Sequence, residues 1–307
     1  MDAYYDAVRW LPEEISRPLQ RLPEGQASLV TEIRLRSGRP LCAYARQQEV
    51  VFSASGPLSK GDETALRLTQ TLMTRCFLSL CRYSVHSHAR ALENGYLSLP
   101  GGHRVGISGS AFYLENGRLS VQNITSANLR IARPRLRPAT AVLCNILTSM
   151  ENGTILAGEP GSGKTTLLRT AIYVLSEKGA QTAVVDERGE LMPVGSEGFT
   201  FVPPLRCDVL SGYPKHIGMQ HALRGLAPNV IVCDEVGSLD DITAIEQAAN
   251  AGVKLLVSIH GGNYISLKRR PQFQALLKTG AFDKLVFLQG RTSPGEIKEV
   301  LNVADNL

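Results

Sequence analysis

The sequence predicts an α/β fold with a mostly parallel sheet, preceded by a smaller α+β domain. Short β-branched or aliphatic runs alternate with helical stretches through the second half. A glycine-rich string joins one of these runs to one of the helices. The first half instead mixes strand-like alternation, one long helical pattern and Gly-rich turns.

The runs 154–157, 182–185, 229–233, 255–258 and 284–288 have the length and composition of buried strands. Helical stretches fall at 165–176, 217–226 and 239–251. Strands alternating with helices predict a parallel sheet covered on both faces, with ligands at the carboxyl ends of the strands. Upstream, 31–36 alternates polar with apolar as a half-buried strand does. The stretch 64–83 places Leu68, Leu72, Phe77 and Leu80 on related faces of a helix. The segments 95–100 and 103–109 have the form of strands joined by Gly-rich turns. Residues 1–130 are thus expected to form an N-terminal α+β domain and 139–307 the larger α/β domain. The 131–138 linker between them is punctuated by Pro134 and Pro138, which exclude a regular helix.

With 307 residues, 43% hydrophobic and 20% charged, the chain can bury a proper core. It has no apolar run near the ~18 residues of a membrane-crossing helix. Its start, Met1-Asp-Ala-Tyr-Tyr-Asp6, lacks the basic-then-apolar layout of a signal peptide, so a cytoplasmic location is expected. Six cysteines at 42, 76, 81, 144, 207 and 233 form no C-x-x-C pair, which argues against zinc and against a disulfide framework. Charge is uneven: residues 1–137 carry 18 Lys/Arg against 11 Asp/Glu (+7), and 138–307 carry 15 against 17 (−2). A basic front half suits nucleic acid, an anionic surface or a neighbouring subunit's phosphates.

The glycine-rich string is Gly158-Glu159-Pro160-Gly161-Ser162-Gly163-Lys164-Thr165, which fits G-x-x-x-x-G-K-S/T. Its glycines let successive backbone N–H groups turn inward around phosphate oxygens, Lys164 reaches the β/γ-phosphates, and the Thr165 hydroxyl can ligate Mg²⁺. Thr166 follows in the first turn of a helix whose N-terminus adds partial positive charge. These features predict a nucleoside triphosphate site in a P-loop NTPase core.

The apolar run Val230-Ile-Val-Cys233 ends in Asp234 and Glu235. Asp234 is placed to hold Mg²⁺, and Glu235 to polarise the attacking water. A second strand ends in Asp186-Glu187-Arg188, and its end is expected beside the phosphate loop. Glu187 is therefore a rival general base, placed behind Glu235, and Arg188 could contact a phosphate or a neighbouring subunit. A third strand ends in His260, a candidate γ-phosphate sensor. Lys215 falls in the same domain as the phosphates. Arg206, Arg224, Arg130 and Arg133 are candidates for an arginine supplied across a subunit interface to stabilise transition-state charge.

These strings, with Val184-Val-Asp-Glu-Arg-Gly-Glu190, Pro214-Lys-His-Ile-Gly-Met219 and Ile231-Val-Cys-Asp-Glu-Val-Gly237, resemble the stage III sporulation protein AA family. Glu32-Ile-Arg-Leu-Arg36, Pro100-Gly-Gly-His-Arg-Val-Gly106 and Asn128-Leu-Arg-Ile-Ala-Arg133 are similar to it too. The resemblance implies a RecA-like core akin to the ATPases of type II and type IV secretion, using ATP and Mg²⁺ and assembling as a hexamer. It implies a role powering a channel complex in endospore formation, on the mother-cell side of the outer forespore membrane. The partner there would be a membrane protein from the same operon. In the secretion relatives a mobile N-terminal domain supplies arginines to bound nucleotide, which points to Arg130 and Arg133, and an acidic box corresponds to Glu187. The chain departs from the family pattern at Cys207, Ser211 and Tyr213. Two other classes stay open. A RecA-like nucleic-acid motor fits the basic front half, though no basic stretch is interleaved with stacking rings. A nucleotide-gated scaffold would not need the intact set Lys164, Thr165, Asp234 and Glu235.

Overall fold

The computed structural model describes residues 2–46, 48–58, 64–113, 117, 119–133, 136–195 and 198–304. The chain divides into two compact units, Met1–Arg133 and Pro134–Leu307. Within the expected linker, Pro134 and Arg135 lie outside the described residues.

The first unit is an antiparallel sheet in the order Gly56–Pro57, Gln48–Ser53, Cys42–Ala45, Val30–Arg36, Leu119–Arg130, His103–Tyr113, Tyr96–Leu99. In the Val30–Arg36 strand the apolar residues Val30, Ile33 and Leu35 are buried and the polar residues between them are not. They pack against Tyr4, Ile15 and Leu19 from the helices Ala3–Val8 and Glu13–Gln20 and against Met73 and Leu80 from Gln70–Leu80. The helix expected over 64–83 is shorter at both ends. Arg67 and Leu68 are drawn into β-bridges with Pro40 and Ser37, so the backbone there is extended. The helix begins only after Thr69, whose side chain accepts from the Leu72 N–H.

The second unit is a three-layer sandwich. Its sheet runs Cys207–Ser211, Thr182–Asp186, Val230–Cys233, Lys254–His260, Gly153–Gly158, Lys284–Leu288, Ile297–Asn302. All neighbours are parallel except the last pair. Period-two alternation sends successive side chains to opposite faces. Ile155, Val185, Ile231, Val257 and Phe287 meet the helices Lys215–Gly225, Leu239–Asn250 and Pro271–Lys278. Leu156, Val184, Val232, Leu256 and Val286 meet Ala141–Thr148 and Lys164–Glu177. Both faces are dry, which is why these strands read as continuous apolar runs.

The strand order corrects one expectation. The strand ending at Asp186 is not beside the phosphate-loop strand: Val230–Cys233 and Lys254–His260 stand between them. Two edge strands, Cys207–Ser211 and Ile297–Asn302, and the helices Ala141–Thr148 and Pro271–Lys278 extend the expected core.

Candidate nucleotide-binding site

Residues 159–163 leave the carboxyl end of the Gly153–Gly158 strand and lead into the Lys164–Glu177 helix. Gly163 caps that helix in the left-handed region (φ 92°), with no side-chain cap. A Cβ there would stand 2.4 Å from the Gly295 nitrogen, so both backbone conformation and space demand glycine. The uncapped first turn leaves backbone N–H groups and the positive end of the helix dipole facing the loop. The Lys164 ammonium is buried and donates to the Gly158 and Glu159 carbonyls at 2.9 and 3.2 Å. Burial pushes it below the usual lysine range, while Asp234 and Glu235 pull it back up. Ser162 is fully buried, and its hydroxyl is unpartnered among the described residues. Thr166 lies in the first helical turn, and its carbonyl accepts from Thr170.

The loop meets the Val230–Cys233 strand end at one point. Thr165 Oγ1 donates to Asp234 Oδ2 at 2.5 Å. Ser258 Oγ donates to the other carboxylate oxygen and accepts from the Glu235 N–H at 3.0 Å. Glu235 itself sits at φ 51°, a conformation that costs a non-glycine residue about 1 kcal/mol. A hydroxyl and a carboxylate brought together in this way are the hard oxygen ligands that suit Mg²⁺, and the cradle of N–H groups beside them suits phosphate. The residues therefore fit a magnesium nucleotide.

Glu235 and Glu187 line one narrow cleft, with Asp186, Arg188, Lys215 and Asp234. They meet there because the strand ending at Asp186 is the immediate neighbour of Val230–Cys233. Each carboxylate has a cationic partner: Arg188 pairs with Glu235, and Lys215 with Glu187 at 2.6 Å. The Lys215 ammonium is mostly buried, and its pairing with Glu187 outweighs burial and raises it above the usual range. Asp186 has a structural task at this cleft. Its buried carboxylate accepts from the Glu190, Leu191 and Met192 N–H groups and so fixes the turn that presents Glu187 and Arg188. Burial pushes its carboxyl up in spite of those bonds.

His260 ends its strand in register with Gly158. Its carbonyl accepts from Arg270 at 2.6 Å, and the residue lines a cavity of about 240 Å³ with Val236, Ile259 and Phe273. Within this unit, neither Arg206 nor Arg224 lines the cleft. Arg206 precedes the Cys207–Ser211 strand, and Arg224 lies in the last turn of Lys215–Gly225, which places both at the amino end of the parallel sheet. In the first unit, Arg130 is exposed on its strand. Arg133 is committed to its own unit, donating to the Val30 and Ala27 carbonyls and to Asp2. Ser258 was not among the expected site residues. Its signal was a lone hydroxyl inside the apolar run Leu255-Leu-Val-Ser-Ile259.

Among solved structures, the pilus retraction motor PilT with bound ADP aligns at a TM-score of 0.57 and 16% identity, over 86% of this chain and 76% of that one. The Legionella pneumophila ATPase DotB aligns at 0.55 and 17%, over 84% and 72%. The shared fold is a RecA-like P-loop core. Stage III sporulation protein AA of Bacillus subtilis (strain 168) is 32% identical over 305 residues, 97% of this chain and 94% of the relative. The family described as sporulation stage III, protein AA, matches residues 6–306, and the chain belongs to that family.

Proposed function

We propose that the chain is a magnesium-dependent ATPase that oligomerises, as a hexamer, and powers or assembles a secretion-like channel complex during endospore formation. The observation that carries the catalytic part is the 2.5 Å bond between Thr165 on the phosphate loop and Asp234 on the neighbouring motif. It joins the two groups that would hold Mg²⁺ at the mouth of an N–H cradle. When bound, Mg²⁺ neutralises charge on the β- and γ-phosphates.

The protein's own groups do the rest. Lys164 exchanges its loop carbonyls for phosphate oxygens, a move the short Gly158 and Glu159 contacts leave within reach of the same side chain. Ser258 orients Asp234 through its carboxylate and Glu235 through its backbone N–H. Glu235 is the favoured base. In its pair Arg188 is 33% and Glu235 40% exposed, whereas the Lys215 facing Glu187 is only 12% exposed, so Glu235 is the easier carboxylate to free. Arg206 and Arg224, remote from their own chain's loop, remain candidates to act on a neighbouring subunit, and His260 to sense the γ-phosphate.

Family membership supports the sporulation role, and the structural neighbours, a retraction motor holding ADP and an ATPase, support nucleotide-driven work. A membrane protein of the same operon, on the mother-cell side of the outer forespore membrane, is the proposed dock. The proposed attachment is peripheral; no helix among the described residues is long and apolar enough to cross a membrane. The test is phosphate release per chain from Mg-ATP across protein concentrations, with and without single-stranded DNA. A specific rate that climbs with concentration and ignores DNA is expected. A rate that is flat alone and jumps with DNA would replace this reading with a nucleic-acid motor.

A further inference from the structure

The turn 289–296, between the Lys284–Leu288 and Ile297–Asn302 strands, is hydrogen-bonded to the phosphate loop. Arg291 Nε donates to the Pro160 carbonyl at 2.9 Å, and the Gly295 N–H donates to the Ser162 carbonyl at 2.6 Å. Arg137 in turn donates to the Pro294 carbonyl, holding the turn in place. The fit is close: a Cβ at Gly161 would meet the Arg291 Cγ at 3.4 Å, and one at Gly295 would meet Arg137 Nη1 at 3.2 Å.

A trans peptide is planar, and its C=O and N–H point to opposite sides. Holding the Pro160 carbonyl outward therefore turns the Gly161 N–H inward, and holding the Ser162 carbonyl outward does the same to the Gly163 N–H. We infer that Arg291 and the Gly295 backbone are positioning elements that aim the Gly161 and Gly163 N–H groups at a bound diphosphate, with Arg137 as their anchor. Glycines at 161 and 163 leave the loop free to turn those donors elsewhere; the brace removes that freedom before phosphate arrives. Donors fixed in advance bind phosphate without the cost of ordering them.

This inference rests on the nucleotide-binding reading of the loop. Its test is calorimetric titration of Mg-ADP and, separately, of inorganic pyrophosphate into the intact chain, for wild type, Arg291→Met, Arg291→Lys and Arg137→Ala, with thermal unfolding of each protein without ligand. Arg291→Met keeps the aliphatic stem over Gly161 and deletes the donor. It is expected to weaken both ligands about tenfold, equivalent to about 1.4 kcal/mol, with the unliganded melting temperature unchanged. Arg291→Lys recovers part of the loss, and Arg137→Ala weakens both ligands less, because the Gly295 bond survives. Unchanged affinities in Arg291→Met overturn the inference. So does a loss confined to Mg-ADP, which would make Arg291 a contact to the nucleoside, and so does a lowered melting temperature without loss of affinity. Should Arg291→Met not fold, Arg137→Ala decides on the same two ligands. Wild type that binds neither ligand would instead refute the nucleotide reading itself.

Discussion

Ser258→Ala removes a fully buried hydroxyl oxygen that touches both acids of the site. That oxygen makes a charge-assisted bond to Asp234 and accepts one from the Glu235 backbone. A bond to a charged group contributes about 1.5–3 kcal/mol and a neutral one about 1 kcal/mol, with some of the loss recovered by water at the half-exposed cleft. The net cost is about 2 kcal/mol. In a unit spanning Pro134–Leu307, each kcal/mol shifts the melting temperature by about 2–4 °C, so a drop of about 4–8 °C is expected. Activity should fall further than stability. Glu235 sits in the left-handed region and loses the bond that fixes its backbone, and a misplacement of about 1 Å can cost about a hundredfold in rate. Calorimetric unfolding and steady-state Mg-ATP turnover on the same preparation read both quantities. A melting temperature within about 1 °C of wild type, together with unchanged turnover, would refute the assigned role of Ser258.

Glu235→Gln should trap bound ATP while leaving its affinity near wild type, read by filter binding and single-turnover hydrolysis; trapping by Glu187→Gln instead would reverse the ranking of the two bases. Glu187→Ala should lower stability by about 3 kcal/mol, because it strands the Lys215 ammonium, which is only 12% exposed; denaturant unfolding checks it. His103 gives a pH prediction for the first unit. Burial holds its imidazole below the ordinary 6.5, although Asp6 pulls it up and Arg133 and Arg9 push it down. Its folded value lies below its unfolded one, so the unfolded chain binds more protons in the interval. Stability is therefore full above pH 6.5 and declines as pH falls towards the folded value. Denaturant midpoints at about pH 7.5 and about pH 5.5 should show the decline, and His103→Asn, which cannot titrate, should flatten it.

The alternating pattern of the second half was legible because both faces of a parallel sheet are dry: the runs at 154–157 and 284–288 are near-continuous apolar strings with no other use. The phosphate loop was legible because its chemistry fixes residue types at fixed spacing, as the conformation of Gly163 illustrates. Strand order was not. Nothing in Val184-Val-Asp186 states that two strands will stand between it and the loop, and only the pairing reveals that Glu187 reaches the site through its neighbour, the Val230–Cys233 strand. The start of the Gln70–Leu80 helix was missed because Arg67 and Leu68 satisfy a helical period while their backbone is claimed by bridges to Pro40 and Ser37. Arg133 illustrates the point for charges: its motif does not name the two backbone carbonyls of its own unit to which it donates. Partners of a long side chain are a property of the fold, and spacing along the chain does not contain them.

The central claim is that Mg-ATP is held and cleaved at the Gly158–Thr165 loop. Phosphate release from ATP by the intact chain, with and without Mg²⁺, beside a Lys164→Ala variant whose fold is verified by circular dichroism, tests it most directly. Mg²⁺-dependent turnover in wild type and a loss of at least about a hundredfold in the variant are expected. Equal turnover by the two folded proteins would contradict it.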